Sequence, residues 1–128
     1  MIDISKNARA KCIDSCRKAY PSEACGVLLK KSGNEIIDDA VPMYNIMDKD
    51  RAGTHFSVDP YELYKLEKEL ETKGYDIAGF YHSHPDCAAV PSGEDLEHMV
   101  PGLTYLIISI TKAEKGFNEE IKEYRIDI

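Results

Sequence analysis

The chain has 128 residues, 43% of them hydrophobic, and a formal net charge of −7, which suits one soluble domain with its own core and no second domain. That charge argues against nucleic acid, whose phosphates need Lys and Arg patches, and favours a partner with a basic face. No apolar run approaches the roughly 20 residues of a membrane span, and Asp3, Lys6, Arg9 and Lys11 interrupt any signal-peptide core, so the expected location is the cytoplasm with no membrane partner.

Residues 4–19 read as an amphipathic helix, with Cys12 and Cys16 four apart and aligned with Ile4 and Ala8 on one buried stripe. Cys25 to Lys31 and Glu35 to Val41 read as two strands, joined by the turn chemistry of Ser32-Gly33-Asn34. Met43 to Gly53 has mixed polarity and reads as a continuation of the sheet that becomes a loop beside the substrate. Asp59 is suited to an N-cap and Pro60 to the first helical position; Leu63, Leu66 and Leu70 then keep helical spacing until Gly74. Tyr75 to His82 is an apolar strand closed by Pro85, and Ser92 to Leu96 reads as a helix start capped by Ser92. Leu103 to Ile110 is another strand, and Gly116-Phe117-Asn118 turns it toward a last one at Ile121 to Ile128. In that last strand Ile121 is out of phase with Tyr124, Ile126 and Ile128, which predicts a bulge. Together these elements make an α/β domain with a mixed sheet flanked by helices, free of repeats and linkers.

The densest chemistry lies at His82, His84 and Asp95. On a strand, residues i and i+2 share a face, so His82 and His84 can address one ion from a strand end. Asp95, three residues past an N-cap Ser92, sits in the first helical turn, where a carboxylate is favoured. Two imidazoles and a carboxylate are a three-ligand set for catalytic zinc, leaving the fourth tetrahedral position for water. Singly, each residue has an ordinary reading: a His on a surface, a Ser that only caps a helix. Their joint order has few purely structural explanations.

With His82-Ser83-His84-Pro85, seven residues between His84 and Ser92, two more before Asp95, and Glu23 upstream, the chain resembles the JAMM motif of MPN-domain metalloproteases, compact prokaryotic type. The resemblance extends to Pro21 to Leu29, which contains the glutamate, and to Phe56 to Pro60. It implies an MPN (cytidine-deaminase-like) fold over residues 1–128, zinc held by His82, His84 and Asp95, Glu23 as general acid/base and Ser92 as a donor to the tetrahedral oxyanion. The chemistry is coherent: a carboxylate near the metal can shuttle the water proton to a leaving amine, and a hydroxyl can stabilise developing negative charge. The reaction class implied is amide hydrolysis.

The compact type also implies a substrate: an amide or isopeptide at the C-terminal glycines of a small ubiquitin-like or sulfur-carrier protein, including carrier–cysteine adducts. A short peptide or small amide stays open, as does an inactive MPN scaffold acting through protein contacts, although scaffolds of that kind lack parts of the ligand set. A zinc nucleobase deaminase would need His-x-Glu and Pro-Cys-x-x-Cys, and the sequence has neither. Cys12, Cys16, Cys25 and Cys87 form no CxxC pair and are expected as free thiols. Cys87 lies between the His pair and Ser92, near enough in sequence to approach the metal or to oxidise there. His98, on the Asp95 face of its helix, is a candidate to support that carboxylate, though a partly exposed helix position is its more ordinary role; His55 is given no metal role. Oligomeric state is left open, a homodimer included.

Overall fold

The computed structural model describes residues 3–47, 53 and 57–126. In chain order the elements are β1 (Asp3–Ile4), α1 (Lys6–Ala19), β2 (Cys25–Lys31), β3 (Ile36–Ile37), β4 (Asp39–Met43), α2 (Pro60–Lys73), β5 (Tyr75–Pro85), α3 (Gly93–His98), β6 (Thr104–Lys112) and β7 (Phe117–Tyr124). Five strands form one sheet in the order β4-β2-β5-β6-β7, antiparallel except for the β5–β6 pair. The α/β expectation of a mixed sheet with flanking helices is met. Among the described residues no helix is long and apolar enough to cross a membrane.

Helix α1 starts later than the sequence suggests. Ser5 caps it by accepting from the Ala8 N–H at 3.0 Å, and Ile4 instead joins β1, which pairs in parallel with β3. The stripe survives the correction, because Ala8, Cys12 and Cys16 are fully buried and Ile4 still packs on the same core. The single strand expected over 35–41 is broken at Asp38, whose N–H bonds the Leu29 carbonyl at 3.0 Å and so separates β3 from β4. The turn at 32–34 forms as read, with Gly33 at φ 87°. Helix α2 also forms as read, capped by Asp59 and ended by Gly74 in the left-handed region at φ 76°.

The C-terminal hairpin differs in two respects. Its turn spans Ala113 to Gly116 rather than 116–118, and β7 therefore begins at Phe117 and ends at Tyr124. No bulge interrupts it: the β6–β7 register runs evenly from Lys112↔Phe117 to Tyr105↔Tyr124. Phe117 and Ile121 pack toward α1, whereas Tyr124 and Ile126 pack on the opposite face. Burial on both faces accounts for the phase change. The irregularity lies elsewhere, between Leu28 and Leu29, where the β2–β5 register skips Ala78.

These layers determine where a site can open. Helix α1 covers one face of the sheet, over Leu28, Tyr81, Leu106 and Ile108. On the other face, Leu63, Leu66 and Leu70 of α2 cover Val27, Leu29 and Ile77, while Ala89, Leu103 and Met99 from the β5–β6 crossover cover Tyr105 and Ile107. Phe80 belongs to both of these clusters. A parallel pair needs a long crossover, and residues 86–103 supply it, passing the carboxyl end of β5 where open α/β sheets characteristically bind ligands.

Close approach of β5 to β6 depends on Gly79, since a Cβ there would lie 1.7 Å from the Thr104 carbonyl oxygen. Gly79→Ala is expected to cost about 3 kcal/mol or more by overpacking. Gly93→Ala, where a Cβ would meet nothing within 4 Å, should stay within about 0.5 kcal/mol of wild type. Urea denaturation of both variants checks the pair, and equal midpoints would contradict this packing.

Candidate metal centre

Alternation along β5 turns Phe80, His82 and His84 to the α2 side and Tyr81 and Ser83 to the α1 side. Ser92 caps α3 in a reciprocal box: its hydroxyl accepts from the Asp95 N–H at 3.0 Å, and its own N–H donates to Asp95 Oδ2 at 2.8 Å. That box fixes the Asp95 carboxylate against the two imidazoles. His82 Nε2, His84 Nε2 and Asp95 Oδ2 stand 3.2 Å from one another on all three edges. Donors about 2.0–2.1 Å from one tetrahedral ion lie about 3.3–3.4 Å apart. The triangle therefore has the dimensions of one face of a tetrahedral metal site.

Tautomerism points the same way. The Ala88 carbonyl can only accept, so its 2.9 Å contact with His84 Nδ1 places the proton on Nδ1. A neutral His84 then offers a bare lone pair from Nε2, as a metal ligand must. Three electron-rich atoms at this spacing need a proton or a cation between them. Without metal, the bond to Asp95 raises the His84 pKa against the opposing effect of burial. Burial likewise opposes ionisation of Asp95, but the bonds from His82, His84 and the Ser92 N–H prevail and hold its carboxyl well below the usual range.

The crossover loop is held by its own carbonyls. Ser109 Oγ donates to the Cys87 carbonyl at 2.6 Å, His84 Nδ1 to that of Ala88, and the Tyr124 hydroxyl to that of Ala89. The Tyr20 hydroxyl bonds the carboxylate of Asp86, which sits at φ 58°. Sequence reading gave Ser109 and Tyr124 no such part, because each meets the loop from a distant strand.

Glu23 lies just before β2 and is only 5% exposed. Its ligand atom and those of His82 and His84 all fall within 4.8 Å of one another. Burial pushes its carboxyl up to about 7, His84 counteracts that, and Asp95 and Glu94 add to the rise. Asn45, unassigned in the sequence reading, donates to the Glu23 carbonyl at 3.0 Å and accepts from the Met47 and Ser57 N–H groups. A cleft of about 770 Å³ opens over the centre, with Leu63, Phe80, Val90 and Met99 among its apolar walls.

All five sequence-derived residues thus meet in one place: Glu23, His82, His84 and Asp95 around the triangle, and Ser92 at the cap beside it. Cys87 is exposed and lines the cleft. Cys12, Cys16 and Cys25 are buried free thiols as expected. His98 bonds the Glu94 carbonyl within its own helix, the ordinary role for it. His55 and Phe56 lie outside the described residues.

A family model described as prokaryotic homologues of the JAB domain matches residues 5–126. The chain belongs to this prokaryotic JAB family. It is 34% identical over 113 residues to a desampylase of Haloferax volcanii, covering 84% of this chain and 80% of that one. It is 30% identical over 111 residues to a CysO-cysteine peptidase of Mycobacterium tuberculosis, covering 86% and 72%. The solution structure of a Desulfitobacterium hafniense protein superposes with a TM-score of 0.71 at 31% identity, covering 94% of this chain and 90% of the other.

The buried Glu23 has a measurable consequence in metal-free protein. With a folded-state pKa near 7 against an ordinary 4.5, the folded chain holds this proton more tightly than the unfolded one. The stability that Glu23 contributes is then fully present below about pH 4.5 and is lost as pH rises through about 7. Glu23→Gln escapes that decline. Metal-free Glu23→Gln should match wild type near pH 4 and exceed it by up to about 3 kcal/mol near pH 8, measured by chemical denaturation. Equal stability at both pH values would contradict the burial argument.

Proposed function

We propose that this chain is a zinc-dependent metallopeptidase that hydrolyses the amide bond at the C-terminal glycines of a small ubiquitin-like or sulfur-carrier protein, carrier–cysteine adducts included. The observation that carries the proposal is the 3.2 Å triangle of His82, His84 and Asp95 with the buried Glu23 carboxyl beside it. Support for the substrate class comes from relatives named desampylase and CysO-cysteine peptidase. Residues 1–128 act as one domain on this reading. A cytoplasmic location goes with it, supported by four cysteines that stay free.

His82, His84 and Asp95 would hold the ion, and the donor set of two imidazoles and one carboxylate suits zinc. Zinc bound there supplies Lewis-acid polarisation of the scissile carbonyl and lowers the pKa of water to about 7. Glu23 moves the proton. Its carboxyl, held near 7 by burial, is balanced between taking a proton from the attacking water and returning it to the departing amine. The Ser92 hydroxyl accepts from Asp95 N–H, which leaves its single proton free to be donated to the oxyanion of the tetrahedral intermediate. The apolar cleft walls exclude water around the carrier tail, whose main chain supplies affinity while pockets select side chains.

Mass spectrometry of a ubiquitin-like sulfur carrier extended past its terminal glycines tests the reading. Zinc-loaded wild type should cleave after the glycines, and Glu23→Gln should keep its zinc and leave the carrier intact. Zinc retained by wild type with no cleavage would turn the assignment toward a different amide or a scaffold. His84→Ala and Asp95→Ala should lose zinc, whereas Ser92→Ala should keep it and slow turnover by about 10²-fold. Undiminished turnover in Ser92→Ala would leave that residue only its capping role.

A further inference from the structure

Ser83 stands between the two histidines but faces away from them, toward α1, and is completely buried. A buried hydroxyl on a core-facing position needs partners, and those it has are informative. Its backbone N–H donates to the Ala24 carbonyl at 3.0 Å, and its Oγ accepts from the Ala24 N–H at 2.8 Å.

The pair is irregular in a telling way. Strand β2 pairs with β5 through Cys25↔His82, and one step further would set Ala24 opposite Ser83. In a regular antiparallel ladder two residues in a hydrogen-bonded pair exchange both main-chain bonds. Here Ser83 N–H makes the first, but the Ala24 N–H goes to the Ser83 side chain. The hydroxyl stands in for a carbonyl, and the chain leaves the ladder at that point. Glu23 is the next residue out. Its peptide link to Ala24 is held at both polar groups, the Glu23 carbonyl by Asn45 Nδ2 at 3.0 Å and the Ala24 N–H by Ser83.

We propose that Ser83 is a positioning residue: its hydroxyl captures the Ala24 N–H, ends the β2–β5 ladder there, and so sets the Glu23 carboxyl over the face that carries His82 and His84. The same strand thereby presents metal ligands on one face and locks the proton-transfer group from the other. The catalytic part of this inference rests on the peptidase reading above; the structural part does not.

The test compares Ser83→Ala and Ser83→Thr with wild type. In zinc-loaded Ser83→Ala, zinc content and KM should be unchanged while kcat falls on the order of 10–100-fold, the scale of a displaced catalytic group. Ser83→Thr keeps the hydroxyl and should restore most of the rate. A crystal structure of metal-free Ser83→Ala should show the Glu23 carboxylate displaced while His82, His84 and Asp95 superpose on wild type. Full kcat in Ser83→Ala, or zinc lost in step with rate, would overturn the proposal. An unmoved Glu23 would also overturn it. If wild type itself leaves the carrier uncut, the peptidase reading fails, and the position of Glu23 in the metal-free variant still decides the clamp.

Discussion

Three electron-rich atoms held 3.2 Å apart govern the architecture of this protein. Left alone, His82 Nε2, His84 Nε2 and Asp95 Oδ2 repel unless a proton or cation lies among them, so the rest of the fold must hold them together. Each is restrained by an element that is stable for its own reasons. The imidazoles end a central strand paired on both sides. The carboxylate is fixed by a capping box, and His84 is oriented through its far nitrogen by Ala88. Orientation of a ligating His through its other ring nitrogen is the usual means of fixing tautomer and basicity.

The sheet supplies this at its one parallel junction. Because β5 and β6 run the same way, the chain must cross over, and the crossover brings α3 and the Ala88 carbonyl to the carboxyl end of β5. Gly79 permits the close strand approach that keeps the junction tight. Two clusters meeting at Phe80 then leave an apolar cleft, rather than a filled core, above the histidines. The same burial that would make a lone carboxylate costly gives Glu23 a pKa near 7, the range in which a group can both accept and release a proton at neutral pH.

Much of this was legible in the chain because its rules are local. Two-residue periodicity put His82 and His84 on one face, and N-cap chemistry put Asp95 in the first turn of α3. The Asp59-Pro60 start and Gly74 end of α2 follow from the same local rules. What sequence missed was set by residues far apart. Ile4 left the helix for a pairing with Ile37, and Ile121 looked out of phase because β7 is buried on alternate faces by different partners. Asn45, Ser109 and Tyr124 act through main-chain atoms that no motif displays. Ser83 did carry a signal: a hydroxyl at a core-facing position of an apolar strand demands a partner. The sequence could not show that the partner was the amide next to Glu23.

X-ray absorption of the zinc-loaded protein tests the central claim most directly. The account predicts a first shell of nitrogen and oxygen alone at about 2.0–2.1 Å, with the outer-shell scattering of two imidazoles. A sulfur neighbour at about 2.3 Å would bring Cys87 into the centre, and a shell without two imidazoles would dissolve it; either result contradicts a site built from His82, His84 and Asp95.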